Sequence, residues 1–123
     1  MKVATLLYKK NAFLHEVNKE NLIYENAQLV IGFGLGELIT NRETFETIQS
    51  KFPNATICFS STAGEIFDIE VFEESISIVA ISFSSSTIKT SLVNINDVKS
   101  SLEAGKKLVE QLPKENLKLI FVL

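Results

Sequence analysis

A chain of 123 residues, 46% hydrophobic and with a mean hydropathy of +0.19, is long enough to bury one core and too apolar to be disordered. Twelve Lys and Arg against fifteen Asp and Glu give a net charge of -3 and a pI near 5.2, so there is no basic footprint for nucleic acid or for an anionic membrane surface. The single cysteine, Cys58, closes no internal disulfide, and no apolar run approaches the ~20 residues of a membrane-spanning helix, which suits a cytoplasmic domain.

Residues 2–8 are β-branched and aliphatic and predict a first strand, buried on both faces. Residues 9–26 stay open: Phe13, Leu14 and Val17 fit one turn of helix or a second strand, and Asn18, Asn21 and Asn26 mark turns. The lone His15 in this segment is a metal or haem ligand on one reading and an exposed or capping side chain on the other; nothing nearby supplies a second ligand.

Leu29-Val30-Ile31 reads as an interior strand opening into Gly32-Phe33-Gly34-Leu35-Gly36-Glu37. This alternation falls short of the dinucleotide fingerprint, because Glu37 stands where the third glycine is needed and the helix signal, Thr40-Asn41-Arg42-Glu43, comes later. The plainer reading is a tight turn and a close backbone approach. Phe45, Ile48 and Phe52 then fall on one helical stripe that Pro53-Asn54 ends, and Ala55–Phe59 returns as a strand. The βαβ unit so formed predicts parallel strands, with the 32–36 and 60–65 loops at the same sheet end, where α/β sheets open their crevices.

Residues 66–74 are mixed in pattern and acidic, a short strand or a loop across the crevice. Residues 75–83 read as a central strand, and Ser84-Ser85-Ser86 as the turn of a hairpin returning along 87–93. Asn96 is the expected cap of a helix carrying Val98, Leu102, Leu108, Val109 and Leu112, with Gly105 tolerated if a neighbour packs against it. Residues 117–123 read as a last strand stopping without a turn, which implies a piece of a larger domain and an exposed edge on which copies of the chain could pair. The expected class is α/β (α+β mixed): one domain over 1–123, with a mixed sheet, a βαβ unit, a hairpin and packed helices.

The stretch that could carry chemistry is Ser60-Ser61-Thr62-Ala63-Gly64-Glu65. Its hydroxyls and amides suit a ligand carboxylate and Glu65 a ligand ammonium, so a small zwitterion fits. The alternative is purely local, since Thr62 to Glu65 is also capping-box spacing. Catalysis is poorly served. Ser61 lacks the flanking glycines of a hydrolase elbow, with Phe59 and Ala63 in their places, and Cys58 is expected to be buried and inert.

Cys58-Phe59-Ser60-Ser61-Thr62-Ala63-Gly64-Glu65-Ile66 resembles the "GCSTAGEI" signature of FIST domains (F-box and intracellular signal transduction). The strand entering Gly32-Phe33-Gly34 resembles the family's strand ending in "FGS", and 75–81 and 119–123 are similar to its later strands. Phe59 and the extra Ser60 depart from the pattern, and the similarity runs from about Ala27 onward. The resemblance implies a non-enzymatic cytoplasmic sensory module that binds a small molecule such as an amino acid and signals to an output domain or protein. Carried onto this chain, the ligand-binding candidates are Ser61, Thr62, Ala63, Gly64 and Glu65, with Ser60 and Gly34 added on chemistry and position. It also implies an alternative, a haem-based gas sensor, for which His15, Cys58, Met1, Tyr8 or Tyr24 would be the available ligands. A third reading is an interaction module without a small ligand, docking partners through the acidic 68–74 segment or the terminal strand.

Overall fold

Lys2–Lys9 (β1) alternates so that Ala4, Leu6 and Tyr8 enter the core, while Leu7 is buried from the other face of the pleat. Lys10 and Asn11 both take left-handed backbone, φ 51° and 60°, which is the two-residue turn whose twist matches the flanking strands. Ala12–Val17 (β2) therefore folds back antiparallel on β1, and the segment left open between helix and strand is a strand. The Phe13 ring meets Tyr8 edge-on at 5.3 Å. Asn18 closes the following turn, its side chain accepting from the Leu22 amide and donating to the Leu22 carbonyl.

These elements come from a computed structural model that describes residues 1–123 and divides into two compact units, 1–86 with Leu123, and 87–122. In the first unit the chain continues through Leu29–Gly34 (β3), Gly36–Ile39 (α1), Arg42–Lys51 (α2) and Thr56–Ser61 (β4). Glu65–Phe67 (β5), Glu70–Phe72 (β6) and Ser75–Ser82 (β7) complete it. The main sheet has five strands in the order β2-β1-β7-β3-β4. β3 and β4 are parallel across α2, as the βαβ reading requires, and β7 is the expected central strand, antiparallel to β1 and β3. β5 and β6 pair as a separate hairpin turned at Asp68, φ 56°. The architecture is mixed α/β.

α2 seats Ile48 and Phe52 in the core against Val30, Ile76, Ile78 and Tyr24. The apolar stripe differs from the expected one in its first turn. Thr44 is the buried residue there, while Phe45 is 37% exposed and rests edge-on against Phe59. Lys51, in the last turn, ties α2 to β2: its Nζ lies 4.7 Å from the Phe13 ring, 4.5 Å from the Tyr24 ring and 2.6 Å from Glu16 Oε1. Tyr24 donates its hydroxyl proton to Glu16 Oε2.

The return strand expected over 87–93 does not form. β7 already has β1 on one side and β3 on the other, so its ladder positions are filled and no edge remains for a hairpin partner. In the second unit, Ser101–Glu110 (α3) is capped by Ser100, whose hydroxyl accepts from the Glu103 amide. The expected cap, Asn96, instead sits inside a single 3₁₀ turn, Ile95–Asp97, that Asn94 caps. Gly105 has open space where a Cβ would go, so no close packing explains it. Residues 117–123 carry no regular structure, contrary to the expected final strand and its pairing edge; the unit that holds 117–122 contains no strand for them to join.

Candidate functional site

The parallel register brings Gly34 opposite Ser61, so the carboxyl ends of β3 and β4 lie side by side. The Thr62 amide donates to the Gly34 carbonyl at 3.0 Å, one residue past β4. Ser60 and Ser61 are thus strand residues; the loop is only Thr62–Gly64, and Glu65 already opens β5. Gly32 and Gly34 are likewise in a strand and have no positive φ, which corrects the expected turn over 32–36. Their role is close approach. A Cβ on Gly34 would stand 2.6 Å from the Ser75 carbonyl oxygen, and one on Gly32 would stand 2.6 Å from the Phe59 ring.

α1 follows Leu35 directly, a helix the sequence pattern missed because it is a single turn. The Thr40 hydroxyl, expected to cap α2, donates to the Gly36 carbonyl and closes α1. Asn41 caps α2 in its place, accepting from the Thr44 amide.

Glu65 is 3% exposed and both its oxygens are held. Oε1 accepts from the Thr62 hydroxyl at 2.9 Å and Oε2 from the Ser75 hydroxyl at 2.7 Å. The Thr62–Glu65 spacing therefore expresses a bond between side chains and caps no helix. A carboxylate offers about four acceptor positions, and these two bonds leave capacity for a ligand. Beside it lies a half-open hollow of about 190 Å³ lined by Leu35, Thr62, Ala63, Gly64, Glu65, Glu73 and Glu74. Drug-sized sites run to roughly 300–1,000 Å³, so the hollow is smaller than those and has room only for a small molecule.

Four of the seven sequence candidates, Thr62, Ala63, Gly64 and Glu65, line the hollow. Ser60 and Ser61 sit on β4, Ser61 exposed, and Gly34 is buried against Ser75 and Ile76. Sequence reasoning missed Leu35, Glu73, Glu74 and Ser75. The last is ten residues from Glu65, and no local pattern links the two. Leu35 was legible only as part of the glycine stretch, and the Glu73-Glu74 pair only as acidity.

The β5–β6 hairpin that supplies Glu65 leans on β2 through His15. The imidazole stacks on Phe67 with ring centres 6.0 Å apart and lies 6.2 Å from Phe72. Tyr8, another residue considered for haem, is fully buried in the core. Cys58 is half-buried on the edge strand β4, less enclosed than its apolar run predicts. No group of three or more His, Cys, Asp or Glu is placed to hold a metal ion. No helix is long and apolar enough to cross a membrane.

A mixed sheet with a hollow at the ends of two parallel strands is the arrangement in which α/β domains open a crevice at a strand's carboxyl end. The family model of the FIST N domain matches residues 28–123. The chain belongs to the FIST family, a signal-transduction-associated family. Neither curated proteins nor solved structures give a match.

Proposed function

We propose that the chain is a non-enzymatic cytoplasmic sensory domain that binds a small molecule such as an amino acid at the Ser60–Glu65 stretch and passes the signal to a fused or separate output partner. The observation that carries this reading is the buried Glu65, held at both oxygens by hydroxyls and lining a hollow of about 190 Å³. Family membership supports the sensory role. The Thr62 amide is spent on Gly34, which leaves the amides of Ala63 and Gly64 as the loop's backbone donors for a ligand carboxylate. Ser60, Ser61 and Gly34 serve the site as its supporting strand ends.

The test is thermal unfolding of the chain against a panel of amino acids. A ligand present at 100 times its Kd stabilises by about 2.7 kcal/mol, which moves the midpoint of a domain this size by several degrees. One or more amino acids should raise the midpoint of the wild type, and Glu65→Gln should respond less. A panel without any shift, or equal shifts for wild type and Glu65→Gln, overturns the proposal.

A further inference from the structure

Ser75 does not line the hollow, yet three parts of the site meet on it. It opens β7 and is fully buried. Its hydroxyl donates to Glu65 Oε2 at 2.7 Å, and its carbonyl accepts from the Leu35 amide at 3.2 Å, where β3 hands over to α1. That same carbonyl lies 2.6 Å from where a Cβ of Gly34 would stand, so β3 runs this close only because residue 34 is glycine. Gly34, a sequence candidate for ligand contact, thereby acts on the site through Ser75.

We propose that Ser75 is a positioning residue which, with Thr62, fixes the Glu65 carboxylate as the acceptor for a ligand's ammonium group. The inference rests on the ligand-binding reading and specifies its chemistry. Each carboxylate oxygen is engaged by one hydroxyl, so the group cannot rotate without breaking a bond inside the protein, and each oxygen keeps a further lone pair. An N⁺–H donor completes that arrangement with a charge-assisted bond. A ligand carboxylate at the same place would face Glu65, with Glu73 and Glu74 also in the lining and no Lys or Arg there. The amine end of the ligand is therefore the end that Glu65 selects.

The experiment uses calorimetric titration of the whole chain with butylamine, butyrate and 2-aminobutyrate. Butylamine and 2-aminobutyrate bind, and butyrate binds at least about tenfold more weakly, the factor that 1.4 kcal/mol of interaction supplies. Ser75→Ala reduces the amine-over-acid ratio. Ile76→Val, a control at the neighbouring core position, lowers the melting temperature and leaves the ratio intact, the pattern that Ser75→Ala would share if its role were purely structural. If Ser75→Ala does not fold, Ser75→Cys, which keeps a weak donor, carries the same comparison. An unchanged ratio in the Ser75 variant overturns its positioning role. Butyrate binding as tightly as butylamine, or no binding of butylamine, overturns the ammonium assignment while the amino-acid panel continues to report on ligand binding itself. If that panel also gives no shift, the ligand-binding reading falls with it.

Discussion

Replacing Gly34 by alanine should destabilise the first unit, although alanine ordinarily gains over glycine by restricting the unfolded chain. That gain is about 0.4–1 kcal/mol where the native backbone accepts the new residue. At Gly34 the added Cβ would lie 2.6 Å from the Ser75 carbonyl oxygen, 2.7 Å from Ile76 Cγ1 and 3.0 Å from Ile76 Cα. Two of those three atoms are backbone of the central strand, which is hydrogen-bonded on both sides and cannot move aside cheaply. Overpacking of this kind costs about 1–3 kcal/mol, and the upper half applies when the opposing atoms are fixed, so the net loss is about 1–2 kcal/mol. With a urea slope of about 1–3 kcal/mol/M for small proteins, the unfolding midpoint should fall by roughly 1 M. Gly32→Ala meets the Phe59 ring, a half-buried side chain on an edge strand that can swing, and should cost less. Gly105→Ala meets nothing within 4 Å inside α3 and should stabilise that helix by about 0.8–1 kcal/mol. Urea unfolding of the three variants, followed by circular dichroism, should rank them in that order. A Gly34→Ala midpoint at or above wild type refutes the close-approach argument and the placement of Ser75 that depends on it.

The Lys51 cluster predicts a pH dependence with two limbs. Partial burial pushes Glu16 up, but the Lys51 and Tyr24 hydrogen bonds and the Lys51 charge outweigh it and hold the carboxyl below its ordinary 4.5. Its contribution is present above that value and is lost as pH falls through the lower folded value. Tyr24 is pushed up to about 12 by burial, the Glu16 hydrogen bond and the Glu16 charge, so its contribution is complete below pH 10 and lost as pH rises through about 12. Tyr24→Phe should flatten the alkaline limb of stability against pH, and a limb unchanged by this substitution contradicts the assignment. Lys51→Ala loses a partly exposed ion pair worth about 0.2–1 kcal/mol and two ring contacts worth about 0.5–1 kcal/mol each, so urea unfolding should register a total of about 1–3 kcal/mol. Asn41→Ala should cost about 1 kcal/mol as the loss of an N-cap, and Thr40→Ala less; the reverse order in thermal melts would restore Thr40 as the cap.

The sheet was legible wherever the apolar run was continuous, as in β1, β3 and β7, although only one face of β3 and β7 is mostly buried and the other is largely half-buried or exposed. The parallel β3–β4 pair followed from the spacing around α2. Element ends were less legible. Ser60, Ser61 and Gly34 are residue types common in loops, yet their backbones stay in the ladder because a parallel neighbour continues beside them. The 87–93 segment failed for a reason its residues cannot express: both edges of β7 are taken by strands distant in sequence. Local pattern found the Thr62–Glu65 run, and the hollow formed there. Ser75 was invisible because its bond to Glu65 depends on how the β5–β6 hairpin lies against β7, which no spacing rule encodes.

The family match begins at residue 28, but the folded unit does not. β1 lies inside the sheet, paired over eight residues with β7 on one side and with β2 on the other. Residues 1–27 hold six of the thirteen buried apolar side chains, namely Ala4, Leu6, Leu7, Tyr8, Leu22 and Ala27. Burial of each large member is worth about 1.5–3 kcal/mol, so the four largest together contribute roughly 6–12 kcal/mol, against a total stability of about 5–15 kcal/mol for a typical domain. Removing them also bares one full side of β7, whose Ser75 holds Glu65. A chain trimmed to 28–123 should therefore lose cooperative urea unfolding and bind hydrophobic dye, whatever ligand is present. If the trimmed chain unfolds cooperatively at the wild-type midpoint, β1 is dispensable, and the support assigned here to the hollow from the far side of β7 must come from elsewhere.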